Sequence, residues 1–305
     1  VLDAPYYHVV FTVPEELNSI IYSNQKLLYD ALYHAASATL NELAKDAKYL
    51  GANIGYICIL HTWGSAMNYH PHIHTIVLGG GLDDENKWKE TGGKFFLPYG
   101  VISKVFRGKY LDELKSLWND SKLKFHGTAE KYQNSYRFKE LLDKCYEKNW
   151  VTYCKETFNG AQSVISYLGK YTHRIAISSH RIKSMTDTTA TYVVKDYKNE
   201  GCWKEKTISG EEFIRRFMMH VPPKRFVRIR HYGLLSCRNK RKKITHCRNL
   251  LGCKKYISTL KNLNAVEMIR VLYHIDVCKC SSCGGNMVSP RKDKYSSSFR
   301  AHMRC

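Results

Sequence analysis

The sequence predicts an α+β fold: a central antiparallel β-sheet with helices packed on it, a helical insertion, and a basic C-terminal region. Three observations predict it. Short β-rich runs recur at YYHVVFTV (6–13), IGYICIL (54–60) and HIHTIVL (72–78), each of strand length and rich in branched and aromatic residues. Between the first two, Leu17, Ile20, Ile21, Leu27, Leu28, Ala31, Leu32 and Ala35 keep helical spacing as far as about Ala47. The strands are spread through a chain of ordinary globular composition, 305 residues with 44% hydrophobic and 25% charged, enough for one large domain or two smaller ones.

Each element has a local reason. Pro14-Glu15-Glu16 opens the first helix, since proline tolerates the first turn and acids suit the positive end of the dipole. In the third strand Ile73, Ile76, Val77 and Leu78 are apolar on both faces, as in a central strand covered on both sides. Residues 82–149 read as an insertion with helices around Val101 to Leu123 and Tyr136 to Lys148. WVTYCKETF (150–158) returns to strand, NGAQSVISYLGKYTH (159–173) is a turn and a helix, and RIAIS (174–178) and TATYVVKDY (189–197) are further strands. From Ile208 a short helix runs to Met219, followed by a basic stretch, a helix near 255–273 and a cysteine-rich tail. These patterns divide the chain into residues 1–205 and a basic region at 206–305.

The charge narrows the function. Lys and Arg number 48 against 27 Asp and Glu, a formal +21, which favours a polyanionic partner, nucleic acid above all. No 18-residue apolar run is present, so no membrane span is expected. VLDAPYYHVVFTVPEE carries neither a basic n-region nor a long apolar core, so it is not read as a secretory signal. Eleven cysteines, an odd number without such a signal, point to reduced thiols in a cytoplasm, a few of them on zinc.

NYHPHIHTIVLGGG (68–81) places His70, His72 and His74 at alternate positions, so on a strand they share one face. His61 ends the preceding strand; an antiparallel hairpin brings it beside His72. His61, His72 and His74 are therefore candidate metal ligands, with His70 and His8 as alternatives for the third position. Imidazoles suit Zn, Mn, Fe, Ni or Cu better than Mg. In AQSVISYLGKYTHR, Tyr167 and Tyr171 lie one helical turn apart. Taken alone such a pair reads first as core packing; the other reading is a nucleophile activated by a nearby cation and by Lys170, His173 or Arg174. KRFVRIRHYGLL (224–235) alternates Arg228, Arg230 and Tyr232 on one face, beside Lys224, Arg225 and Phe226, a pattern for gripping phosphates and stacking bases or for a solvated basic edge. RNKRKK (238–243) suits sequence-indifferent phosphate contact. Cys280-Ser-Ser-Cys283-Gly-Gly is half of a zinc knuckle that His302 and Cys305 would complete, with Cys278 as an alternative.

NYHPHIHTIVLGGGL, SYLGKYTHRIAIS and EEFIRRFMMHVPPKRFVRIRHYGLL, in that order, resemble the IS91-type two-tyrosine transposases of the HUH endonuclease superfamily. The resemblance covers roughly residues 5–240. It implies an HUH palm with His72 and His74 as ligands for Mg²⁺ or Mn²⁺, and Tyr167 and Tyr171 as nucleophiles. It also implies nicking and joining of single-stranded DNA at transposon ends and target through a 5′-phosphotyrosine, in rolling-circle-like transposition in a prokaryotic cytoplasm. Such relatives carry a cysteine-rich zinc segment before the first strand; here the residues ahead of Tyr6 hold no cysteine. A plasmid replication initiator or relaxase of the same superfamily, and an inactive DNA-binding derivative, are the other classes this sequence suits. The order of tyrosine attack, the recognised ends and the oligomeric state do not follow from the residues.

Overall fold

In the computed structural model, residues 2–91, 97–156, 176–196, 201–238, 240–253, 260, 262–280 and 282–287 are described. The chain divides into two units, Val1–Cys253 and Lys254–Cys305.

The first unit is built on an antiparallel sheet of β1 (Tyr6–Thr12), β2 (Asn53–Trp63), β3 (Tyr69–Leu82), β4 (Trp88–Glu90), β5 (Thr152–Glu156) and β9 (Ile229–Gly233). Its order is β5-β1-β3-β2-β9, with β4 paired to the far end of β3. Period-two alternation sorts the side chains. Tyr7, Val9 and Phe11 of β1, Tyr56, Cys58 and Leu60 of β2, and Ile73 and Val77 of β3 point into one core. That core is closed by α1 (Asn18–Ser23), α2 (Gln25–Lys45), α3 (Tyr99–Asn119) and α4 (Ser135–Glu147). On α2 the buried stripe runs Leu28, Ala31, Leu32, Ala35, Ala36, Thr39, Leu40 and Leu43, the spacing of one helical face. Asn134 caps α4 by accepting from the N–H groups of Tyr136 and Arg137.

Both helices expected in 82–149 are present, but they are not an appendage. Ile102, Phe106, Tyr110 and Leu114 of α3 and Phe138 and Leu141 of α4 share the main core with β1, and Phe106 packs against Phe11 with ring centroids 4.9 Å apart. The opposite sheet face carries a smaller core of Tyr6, Ile76, Leu78, Leu82, Leu234 and Cys247. Cys247 comes from α6 (Lys240–Leu250).

A second sheet joins β6 (Ile182–Met185), β7 (Thr189–Asp196) and β8 (Cys202–Ser209), all antiparallel. Ala190, Tyr192 and Val194 pack with Phe213 of α5 (Gly210–Met218) and with Met67. Ser209 caps α5 by accepting from the Glu212 N–H. A division at 205/206 would therefore cut through β8, whose register with β7 is continuous from Cys202 to Ser209. The residues beyond it do not separate either, because β9 hydrogen-bonds β2 in the main sheet. The strand expected at 174–178 is not found in its described part: Ala176 has φ +55°, a left-handed backbone that ends an extended run, and a 3₁₀ turn follows at Ser179–Arg181. The strand expected across 224–235 is confined to β9. Residues 157–175, which contain the expected tyrosine helix, lie outside the described residues.

In the second unit, α7 (Ala265–Tyr273) begins with a reciprocal cap between Asn264 and Glu267 and ends at His274 with φ +55°.

Gly233 closes β9 with φ +58°, and a Cβ there would lie 1.9 Å from the carbonyl oxygen of Ile54. Gly233→Ala therefore combines a left-handed L-residue with a backbone clash, and should lower unfolding free energy by about 2 kcal/mol or more. Urea denaturation measures it; a loss within ordinary surface-mutation scatter would show that β9 does not approach β2 this closely.

Candidate metal centre

The centre sits on the sheet face away from α2. Pairing sets it: His72 of β3 lies opposite His61 of β2 and Thr12 of β1, and His74 lies opposite Ile59 and Val10. Two residues further on, Ile76 lies opposite His8 and Ile57. His61, His72 and His74 each offer a ring nitrogen, all within 4.8 Å of one another. The centroids of His61 and His74 are 4.5 Å apart, and those of His61 and His72 are 5.6 Å apart at 90°. The hairpin expectation for His61 holds, and it is a consequence of register.

The other ring nitrogens have partners that fix orientation. His72 Nδ1–H donates to the carbonyl of His70 at 2.7 Å, so Nε2 carries the lone pair. Thus His70, considered above as a substitute ligand, serves this site through its main chain. His72 Nε2 lies 3.0 Å from His74 Nε2, and His74 Nδ1 lies 2.9 Å from His8 Nε2. His8 is thereby an orienting neighbour of His74; its position diagonal to His74 across β1 and β3 is the signal the sequence contained.

The donor set fits a divalent cation. When His74 donates to His8, the Nε2 atoms of His72 and His74 turn lone pairs toward each other, and a cation between them removes the repulsion. Two ligand atoms bound at right angles to one octahedral ion at about 2.1 Å lie about 3.0 Å apart, the separation of the His72 and His74 Nε2 atoms. Burial holds the imidazoles neutral, the form that ligates. It lowers His72 and His8 to about 4, and it holds His74 well below the ordinary value. His61, stacked on Trp63 at 4.6 Å, is buried as well.

The basic strand is arranged differently from its sequence pattern. Arg230 and Tyr232 do share a face, but it is the face turned to α2. Arg230 pairs with Asp30 and lies over the Tyr33 ring at 4.0 Å and the Phe226 ring at 5.1 Å. Tyr232 stacks on Tyr56 at 5.2 Å. Arg230 and Phe226 therefore pack at the edge of the core, with the Arg230 guanidinium paired to Asp30. Arg228 lies 5.6 Å over the Trp63 ring at the end of β2, and Lys224 and Arg225 are exposed. His220, which the sequence did not single out, is buried and hydrogen-bonded to Thr62 Oγ1 and the Met67 carbonyl, each at 3.2 Å.

Tyr167, Lys170, Tyr171 and Arg174 lie outside the described residues, as do His302 and Cys305. Of the tail, Cys280 and Cys283 belong to a tight turn in which the Cys280 N–H donates to the Gly285 carbonyl at 2.8 Å and the Gly284 N–H to the Cys280 carbonyl at 2.9 Å. Backbone N–H groups of Cys283 and Ser282 point at the Cys280 sulfur and lower its pKa, as a thiolate ligand requires.

A family model described as "Putative transposase" (Y2_Tnp) matches residues 55–243, a span that holds His61, His72, His74 and both tyrosines. The chain belongs to this family. The Y2_Tnp chain is 40% identical over 252 residues to "Putative transposase y4qJ" of Sinorhizobium fredii, covering 82% of this chain and 63% of that protein. It is 28% identical over 289 residues to the "Transposase for insertion sequence element IS801" of Pseudomonas savastanoi pv. phaseolicola, covering 94% of this chain and 67% of that protein. The chain thus spans about two thirds of the length of these relatives. Among solved structures, the conjugative relaxase TrwC in complex with oriT DNA aligns in its metal-bound form with a TM-score of 0.29 and 12% identity, over 54% of this chain and 69% of that one. The metal-free form gives 0.27 and 12%, over 54% and 71%.

Neutral burial of His8 and His72 makes the Y2_Tnp fold acid-sensitive in the absence of metal. Each titrates at about 4 when folded against 6.5 ordinarily. Between those values the unfolded chain binds more protons, so stability is full above 6.5 and falls as pH drops toward 4. The slope is up to about 1.4 kcal/mol per pH unit for each group. His8→Gln should flatten that slope in chelator-treated protein; urea midpoints measured from neutral to acid pH check it, and an unchanged slope would show that His8 is not held neutral.

Proposed function

We propose that this chain is a metal-dependent transposase that nicks and rejoins single-stranded DNA through a tyrosine nucleophile. The observation that carries the reading is the convergence of His61, His72 and His74 on one sheet face in a member of a transposase family. The two curated relatives are named as transposases, which favours transposition over plasmid initiation or conjugation.

The histidines are the ligands for Mg²⁺ or Mn²⁺, and the ion supplies Lewis-acid polarisation of a phosphate oxygen. His72 and His74 act as neutral donors at pH 7 beside His61, with His70 and His8 fixing two of the rings. Tyr167 or Tyr171 attacks the scissile phosphorus. The phenol oxygen–phosphorus bond forms, the bond to the 3′ oxygen breaks, and that oxygen takes up a proton while the phenol gives one to solvent. The protein remains on the 5′ phosphate. Attack by the 3′ hydroxyl of another strand reverses the bond changes and frees the phenol; the second tyrosine allows a second exchange. Lys170 and Arg174 favour the phenolate by opposite charge. Lys224, Arg225 and Arg228 contact DNA phosphates, whereas Arg230 is committed to Asp30. In the tail, Cys280 and Cys283 with His302 and Cys305 hold a structural zinc.

Incubation with labelled single-stranded oligonucleotides and Mn²⁺ should give a denaturation-resistant protein–DNA band that disappears in the Tyr167→Phe, Tyr171→Phe double variant. Cleavage persisting without a covalent band would make the protein a hydrolase. Calorimetric Mn²⁺ titration should show binding lost in His72→Ala and weakened about 10- to 100-fold in His8→Ala, the effect of removing a ligand's hydrogen-bond partner.

A further inference from the structure

The sheet face that carries the imidazoles does not end at them. Along β3 the same face continues through Ile76 and Leu78, about 7 Å per step, and these pack with Ile244 and Cys247 of α6. On β9, His231 lies opposite Ile57, next in line after Ile59, and it is half-buried and feels the charge of Lys240.

α6 has the composition of a phosphate contact. It holds no acidic residue, and Lys240, Arg241, Lys242 and Lys243 are all exposed. Among the described residues, none of these four makes an ion pair. Asp83 and Glu85 of the β3–β4 turn are matched to Lys89 at 3.8 Å and Lys87 at 2.6 Å. The outer face of α6 lines an open groove of about 440 Å³ with Arg241, Lys242, Thr245, His246 and Asn249. These positions follow one helical face. His246 Nε2–H donates to the Asn86 carbonyl at 3.0 Å and pins the helix to the β3–β4 turn. The groove is therefore a fixed cationic surface, tied to the sheet at one side and by Cys247 beneath.

The geometry points to the α6 groove as a second grip on the DNA strand, holding its phosphates a few nucleotides from the metal centre through Arg241 and Lys242. This rests on the single-strand reading above. A strand lying on the imidazole face and leaving it along β3 meets α6 next, where a cationic wall attracts its phosphates and an acidic one would repel them. Thr245 and Asn249 supply uncharged donors for the same backbone, so the grip is indifferent to sequence.

The test measures binding of a single-stranded oligonucleotide of about 20 nucleotides by fluorescence anisotropy across a salt series. The full chain is compared with Arg241→Ala/Lys242→Ala and with a control, Lys104→Ala/Lys115→Ala. The control lysines are exposed on α3, in the helix layer on the other side of the sheet. Loss of two phosphate contacts should make the log–log salt dependence shallower by about 1.4 and weaken binding about ten-fold or more at moderate salt, with the control unchanged. Equal slopes in the wild type and the α6 variant overturn the proposal, as does an equal loss in the control or a deficit confined to double-stranded DNA. The covalent band is scored separately in the same samples. A missing band in wild type with the slope difference intact overturns the nicking reading and leaves the groove as a DNA contact. A normal wild-type band without the slope difference overturns the groove alone.

Discussion

The register of β2, β3 and β1 is the constraint on which the rest depends. Alternation along β3 gives His72 and His74 to one face and Ile73 and Val77 to the other, and pairing with β2 adds His61 opposite His72. A slip of one residue would reverse every side chain of the strand. It would push two imidazoles into the apolar layer against α2 and expose two of its buried aliphatics. The energy that fixes register is thus the burial of the helix-side core, several fully buried side chains each worth about 1.5–3 kcal/mol. The imidazole face is held by packing on the opposite face of the sheet.

Much of this was legible in the sequence because it is periodic. Strands β1 and β3, helix α2 and the parity of His70, His72 and His74 follow from spacing alone, and His61 follows once a hairpin is assumed. What escaped has no period to read. β8 is CWKEKTIS, with a charged Lys-Glu-Lys centre and mostly exposed on both sides, so its sign is the partner strand. RIAIS looks extended until a left-handed Ala176 interrupts it. α3 and α4 were recognised as helices, but nothing local says that they complete the main core. That depends on Phe11 and Phe106 meeting across nearly a hundred residues of chain.

The basic strand shows the limit of reading charge as function. Arg228, Arg230 and Tyr232 do alternate as the sequence suggests, but a face is assigned to solvent or core by tertiary packing. Arg230 finds Asp30 and the Tyr33 ring on α2 and the ring of Phe226 just ahead of β9, a combination in which the aliphatic stem and the planar guanidinium both pack. By contrast α6, which reads in sequence as an undifferentiated cationic run, acquires a definite outer face once Cys247 is buried and Ile244 packs beside it.

The two paired imidazoles differ in what secures them. The Nδ1–H of His72 is held by the carbonyl of His70, a main-chain atom present whatever residue occupies that position. The Nδ1 of His74 depends on the ring of His8, which a single codon change removes. A change at position 8 can therefore loosen one side of the centre while the other stays set, with every residue of the β3 motif unaltered.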